Sequence, residues 1–160
     1  MASGSDDFTT LETLFVAFLL ALYITGIFAF IGFAYPTNRI LPAAYYKIKN
    51  PKRLKQVYQL LGVKYFRAFL LAFFWGHKKN ARKYFNGTRS GLKNFIYQAN
   101  QSEFGHFAAF ITITLLSIVL LIQSYLLLFI FLSALNIIAN LYPVILQRYH
   151  RIRIEKLRLN

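Results

Sequence analysis

The chain has 160 residues, 57% of them hydrophobic, no cysteine and a formal net charge of +14. Apolar content this high, gathered into long charge-free runs, excludes an ordinary soluble domain, and the missing thiol excludes disulfides, thiolate metal sites and a covalent cysteine mechanism. The positive charge calls for no nucleic acid, because its placement follows membrane topology and attraction to anionic lipid.

Leu14 to Ala34 is a run of 21 residues without a charge, long enough to cross roughly 30 Å of hydrocarbon as a helix. Asp6, Asp7 and Glu12 precede it and no basic residue does. That is the reverse of a signal peptide, so the run reads as a retained anchor. Pro36 and Pro51 then bracket an extended basic linker, after which Leu54, Val57, Tyr58 and Leu61 fall on one face of a surface helix. Tyr65 to Gly76 is apolar apart from Arg67 but only 12 residues long. It predicts a re-entrant or interfacial helix; a full crossing there would give four spans and split the basic clusters across the membrane. Lys78, Lys79, Arg82 and Lys83 follow, then a turn at Asn86-Gly87 and a second amphipathic stretch through Leu92, Phe95, Ile96 and Ala99.

Phe104 to Leu146 is 43 residues whose one group titrating near neutral pH is His106. This is two spans, with the turn at the polar doublet Gln123-Ser124 and a kink at Pro143. Arg148, Arg151, Arg153, Lys156 and Arg158 close the chain. The expected fold is therefore all-α: a polytopic membrane helix bundle forming one integral membrane domain over residues 1–160. It has spans at about 14–34, 104–122 and 125–146, a partial insertion at 65–76 and a basic skirt at 36–64 and 77–102. The positive-inside rule puts the N-terminus outside, the C-terminus inside and the skirt on the cytoplasmic face of the cytoplasmic membrane. The sequons at Asn86 and Asn100 would lie on that face and read as chance.

An ionisable residue at the mouth of a membrane segment is expensive and is a functional-site hypothesis by default. Glu103 and His106 are such residues, three apart on one helix face. In an antiparallel hairpin turning at Gln123-Ser124, His106 comes level with Asn140 and Glu103 with Val144, with Gln147 and Arg148 about a turn shallower. The candidate site is Glu103, His106, Asn140, Gln147, Arg148, Tyr149 and Arg151. A histidine can serve as general base, a carboxylate can orient it, and arginine and amide donors can hold an oxygen on which charge develops. That inventory suits acyl transfer to a hydroxyl by direct attack. A serine mechanism does not fit, since Gly87-Thr-Arg-Ser-Gly91 is not the Gly-x-Ser-x-Gly elbow.

Plainer readings stand beside this one. Asn100 followed by Glu103 has the spacing of a capping box; His106 can be a polar residue hydrogen-bonded within the bundle; the arginines can snorkel at a membrane exit, and Tyr142 and Tyr149 can belong to an interfacial belt. A metal is not expected. Glu103 has no companion carboxylates for a di-iron site, and His77, His106 and His150 fall at different depths.

Glu103-Phe-Gly-His106, followed after the hairpin by Asn140, Pro143, Gln147-Arg148-Tyr149 and Arg151, resembles the glycosyl-diaponeurosporenoate acyltransferase family. Departures are His150 in place of asparagine, Tyr142 before the proline, and Phe107 rather than tryptophan after the histidine. The resemblance implies transfer of a fatty acyl group to a sugar hydroxyl of a glycosylated carotenoid acid. In that reading His106 and Glu103 are catalytic, while Asn140, Gln147, Arg148, Tyr149 and Arg151 bind substrate. No bound cofactor is expected. The donor would be acyl-CoA or an acyl carrier, with Lys78, Lys79, Arg82 and Lys83 attracting coenzyme A phosphates; the partners are a lipid or glycolipid acceptor and anionic membrane lipid. A non-enzymatic lipid-binding or assembly protein, and a terpenoid-lipid isomerase using the same Glu/His pair, remain alternatives, and the oligomeric state stays open.

Overall fold

A computed structural model describes residues 9–73 and 89–159. Among these the regular structure is helical throughout: α1 (Thr10–Ala34), a 3-10 turn (Thr37–Arg39), α2 (Ala43–Tyr46), α3 (Pro51–Leu60), α4 (Val63–Phe73), α5 (Arg89–Ile122), α6 (Leu126–Asn136), a π-helical turn (Ile137–Leu141) and α7 (Tyr142–Leu159). Three helices among the described residues are long and apolar enough to cross a membrane: Thr10–Ala34, Gly91–Ile122 and Leu126–Ile152. By packing, the chain divides into two compact units, Met1–Tyr35 with Gly105–Pro143 and Pro36–Phe104 with Val144–Asn160.

In the first unit, α1 starts from a capping box in which Thr9 N–H donates to Glu12 Oε2 at 2.8 Å and Glu12 N–H to Thr9 Oγ1 at 3.3 Å. Its buried residues are Thr13, Ala17 and Ala21, spaced by four. A stripe of small side chains lets another helix approach closely where lipid tails give no hydrophobic drive to association. α1 packs on α6, and the apolar core holds Ala17, Ala21, Ile113 and Leu132. Gly105 serves the same end: a Cβ there would stand 3.4 Å from the Phe28 carbonyl oxygen. Large apolar side chains such as Phe30, Phe33 and Ile122 point outward, as expected where hydrocarbon rather than water is the solvent.

α5 ends at Ile122, and the reversal falls on Gln123-Ser124. Ser124 takes a left-handed φ of 69°, Tyr125 N–H donates to Leu120 O at 3.0 Å and Ser124 N–H to Leu121 O at 3.0 Å. This is a Schellman closure that satisfies the last carbonyls of the helix. In the returning limb the distortion near Pro143 is a π-turn, with Tyr142 N–H bonded to Ile137 O. Proline has no N–H, so the carbonyl four residues back, that of Ala139, loses its usual partner.

In the second unit, Pro51 opens α3 at its first position and Gly62, at φ 72°, turns the chain into α4. The core is Tyr58, Val63, Leu146, Tyr149 and Ile152, with Leu54, Phe66 and Leu70 against it. The single apolar face expected for α3 divides: Leu54 and Tyr58 turn inward, while Val57 and Leu61 are exposed. A helix that meets protein on one side and lipid on the other carries apolar residues on both.

α5 is one uninterrupted helix from Arg89, where a surface helix and a separate span starting near Glu103 were expected. No proline or exposed glycine lies between them to break it, and the Asn100-Gln101-Ser102 polar run is compatible with helix. Asn100 is thus mid-helix, and the capping-box reading of Glu103 is overturned. Residues 74–76 of the predicted partial insertion lie outside the described residues.

Replacing Ala17 with Leu should force the α1–α6 contact apart and lower detergent-phase stability by about 1–3 kcal/mol. Leu22→Ala, at an outward position, should change it by no more than about 0.5 kcal/mol. Thermal melting of the two variants checks this.

Candidate active site

Two polar clusters, one inside each unit, hold five of the predicted residues: His106 and Asn140 in the first, Glu103, Arg148 and Arg151 in the second. In the first unit the cluster is built on an amide chain whose direction is set at one end. Asn136 Nδ2 donates to the Phe110 carbonyl at 3.0 Å and to Thr114 Oγ1 at 3.1 Å, while that hydroxyl donates to the same carbonyl at 2.7 Å. A carbonyl only accepts, so the NH2 end of Asn136 must face it, leaving Asn136 Oδ1 to accept Asn140 Nδ2 at 3.0 Å. Asn140 Nδ2 also donates to Thr25 Oγ1 at 3.1 Å. Asn140 Oδ1 then lies 3.2 Å from His106 Nδ1. Since Oδ1 accepts, Nδ1 carries the hydrogen, and in the neutral ring the lone pair is on Nε2.

The chain of inference runs from a main-chain carbonyl to the tautomer of a histidine through two asparagines, both buried. Every amide hydrogen in it has a partner, as a buried network must. The Ala139 carbonyl, released by Pro143, stands beside the ring as a further acceptor. It can receive an N–H from a protonated imidazole.

In the second unit Glu103 has no solvent exposure and stands between two arginines. Arg151 Nη2 donates to Glu103 Oε2 at 2.5 Å, and Arg148 Nε lies 3.4 Å from Oε1. Each guanidinium is held again from α2: Arg148 Cζ is 4.6 Å from the Tyr45 ring centroid and Arg151 Cζ 4.7 Å from that of Tyr46. Arg148 Nη2 donates to the Tyr45 carbonyl at 2.7 Å, and Arg151 Nη2 to Asn100 Oδ1 at 2.7 Å. Burial, with the Glu103 carboxylate adding to it, pushes the Tyr45 phenol well above its ordinary value near 10. The same two causes raise Tyr46, and burial first of all raises Tyr58.

His106 and Asn140 therefore meet as the antiparallel register predicts. The hydrogen-bond partner of the imidazole is Asn140, where the sequence reading gave the orienting role to Glu103; the carboxylate is engaged by Arg148 and Arg151. Gln147 Nε2 reaches Ser102 Oγ at 3.5 Å, and Tyr149 is buried in the apolar core of its unit. Lys78, Lys79, Arg82 and Lys83 lie outside the described residues, as does His77. Sequence reasoning missed Tyr45 and Tyr46, which sit in a four-residue helix inside what reads as linker. It also missed Asn136, Thr114 and Thr25. The available signals were the i, i+4 spacing of Asn136 and Asn140 within an apolar run, and Thr25 continuing the four-residue stripe of Thr13, Ala17 and Ala21.

Residues 42–159 match the family of glycosyl-4,4'-diaponeurosporenoate acyltransferases, CrtO. The chain belongs to this family. No curated protein and no solved structure matches it. The CrtO family is one of acyltransferases of carotenoid biosynthesis, and three apolar helices make this member a membrane protein. The matched segment contains both asparagines, His106 and the whole Glu103 cluster; α1, with Thr25, precedes it.

Glu103→Gln leaves two arginines without their counter-ion in a buried setting and should cost about 3–5 kcal/mol in a detergent melt. Replacing Glu103, Arg148 and Arg151 together by apolar residues of similar size should recover much of that loss. A second outcome concerns pH. Because folding raises the Tyr45 phenol, its stabilising contribution is intact below the ordinary phenol range and is lost as pH climbs through the folded value. Tyr45→Phe should therefore lose less stability than wild type when alkaline melts are compared from about pH 10 upward.

Proposed function

We propose that this CrtO family member transfers a fatty acyl group from an acyl thioester to a hydroxyl of a lipid-soluble, glycosylated, carotenoid-like acceptor. The observation that carries the reading is His106, whose Nδ1–H is committed to Asn140 Oδ1 so that Nε2 is the basic nitrogen. In the reaction Nε2 takes the proton of the acceptor hydroxyl as its oxygen attacks the thioester carbonyl. The tetrahedral intermediate collapses, the C–S bond breaks, and the imidazolium returns the proton to the departing sulfur. The ester and a free thiol are the products, and no covalent enzyme intermediate is needed.

Asn140 acts as a positioning residue, with Asn136 behind it. Glu103 serves to hold Arg148 and Arg151, and these arginines with Gln147 are assigned to the polar parts of the substrates by their charge and donor capacity. The donor is a coenzyme A thioester or an acyl carrier. The protein sits in the cytoplasmic membrane with its N-terminus outside and its C-terminus inside, because the basic clusters follow the first span and flank the hairpin. The apolar run at 65–76, with 12 residues, is too short to cross hydrocarbon as a helix and lies at the interface, and anionic lipid surrounds the basic skirt.

Membranes containing the protein, supplied with acyl-labelled coenzyme A and a glycosylated carotenoid acid, should yield a labelled acyl ester by mass spectrometry. His106→Ala should reduce the rate by about a hundredfold or more while the protein stays folded in detergent, and Asn136→Leu should reduce it by a smaller factor. An undiminished rate in His106→Ala removes that residue from the chemistry. Lipid co-purifying without any acylated product would favour a lipid-binding subunit, and an altered lipid carrying no label would favour isomerisation.

A further inference from the structure

A cavity of about 350 Å³ in the second unit is lined by Lys47, Lys49, Asn50, Arg53 and Arg148, with the apolar Ile48, Leu54 and Val57 completing its wall. Among the described residues, four cationic ones and no acidic one line this space. The charge is also in an unfavourable place. Arg53 lies in the first turn of α3, beside Lys52, with no acidic residue in that turn and no side-chain cap from Asn50. The start of a helix carries partial positive charge and unpaired N–H groups, so cations there raise the electrostatic energy instead of lowering it. Positive-inside topology accounts for which side of the membrane these residues occupy; it does not account for their convergence on one cavity at the wrong end of a helix dipole. Glu103 offers no relief, because its carboxylate is already shared by Arg148 and Arg151.

We infer that this cavity is a binding site for a phosphate group, in which Lys47, Lys49, Arg53 and Arg148 supply charge and the positive end of the α3 dipole adds to it. Two sources present that chemistry at a membrane surface: the phosphates of a coenzyme A thioester and the headgroup of an anionic phospholipid. The phosphate assignment stands on the cavity itself; its reading as a donor site rests on the acyl-transfer proposal. Arg148 belongs to both the cavity and the Glu103 cluster, so occupancy would bear on the buried ion pair directly.

The test uses full-length protein in detergent and in lipid nanodiscs, comparing wild type with Lys49→Glu/Arg53→Glu. A control, Lys52→Glu/Lys55→Glu, makes the same change in net charge at positions that do not line the cavity. Coenzyme A binding by calorimetry that weakens at least tenfold in the cavity variant and not in the control supports the site and names the donor as its ligand. Absence of coenzyme A binding, with thermal stabilisation by phosphatidylglycerol over phosphatidylcholine nanodiscs lost in the cavity variant alone, supports the site and names the headgroup. Equal behaviour of the cavity variant and wild type toward both probes overturns it, and so does an equal loss in the control. These readouts measure binding alone, so failure of the transfer reaction in the preceding assay leaves them interpretable.

Discussion

A carboxylate without solvent contact needs cations brought to it, and Glu103 has two. The desolvation cost of that arrangement is high, and an ion pair of this kind gives little net stability over well-packed apolar residues. What it does give is specificity of position. Arg148 and Arg151 must lie on the α7 turns that face Glu103, and α2 must bring Tyr45 and Tyr46 over the two guanidiniums. Most of the tertiary order of the second unit follows from meeting that one demand, with the Tyr58, Val63, Leu146, Tyr149 and Ile152 core supplying the apolar drive.

The first unit obeys the same rule with neutral groups. Polar side chains surrounded by apolar helices have no water to turn to, so each donor needs an acceptor within the protein. The Phe110 carbonyl, Asn136, Asn140 and His106 satisfy one another in a fixed sense, and the sense is chemical information. Reversing either amide would set carbonyl against carbonyl. Pro143 adds to this by taking away the N–H that Ala139 would otherwise receive, so a helix irregularity becomes an acceptor beside the imidazole. The kink read from sequence at Pro143 has this more local consequence.

These features give membership of the CrtO family a physical content. The acyl transfer by direct attack proposed above asks for a base of defined protonation, and a histidine with one nitrogen committed would supply it. It would ask also for charge to receive polar groups, and the second unit sets two arginines around Glu103. The placement of Lys47, Lys49 and Arg53 extends that concentration to the start of α3, where anions are favoured.

Several of these elements could be read without coordinates. Charge-free length alone identifies helices able to cross a membrane, because hydrocarbon thickness sets a minimum run. The polar doublet marks where α5 reverses, and the antiparallel register that follows brings His106 to Asn140. Composition could not show that α5 continues through Asn100 and Glu103, since a capping box and a mid-helix pair have the same spacing; only the helical state of the residues before them separates the two. Nor could it assign partners. Glu103 and His106 share a helix face at i, i+3, yet their hydrogen bonds go to side chains far away in the chain, and rotamer and helix rotation decide which ones. Tyr45, Tyr46 and Asn136 stayed hidden for the same reason: a contact made across more than a hundred residues, or an amide whose role is its direction, leaves no local periodicity to find.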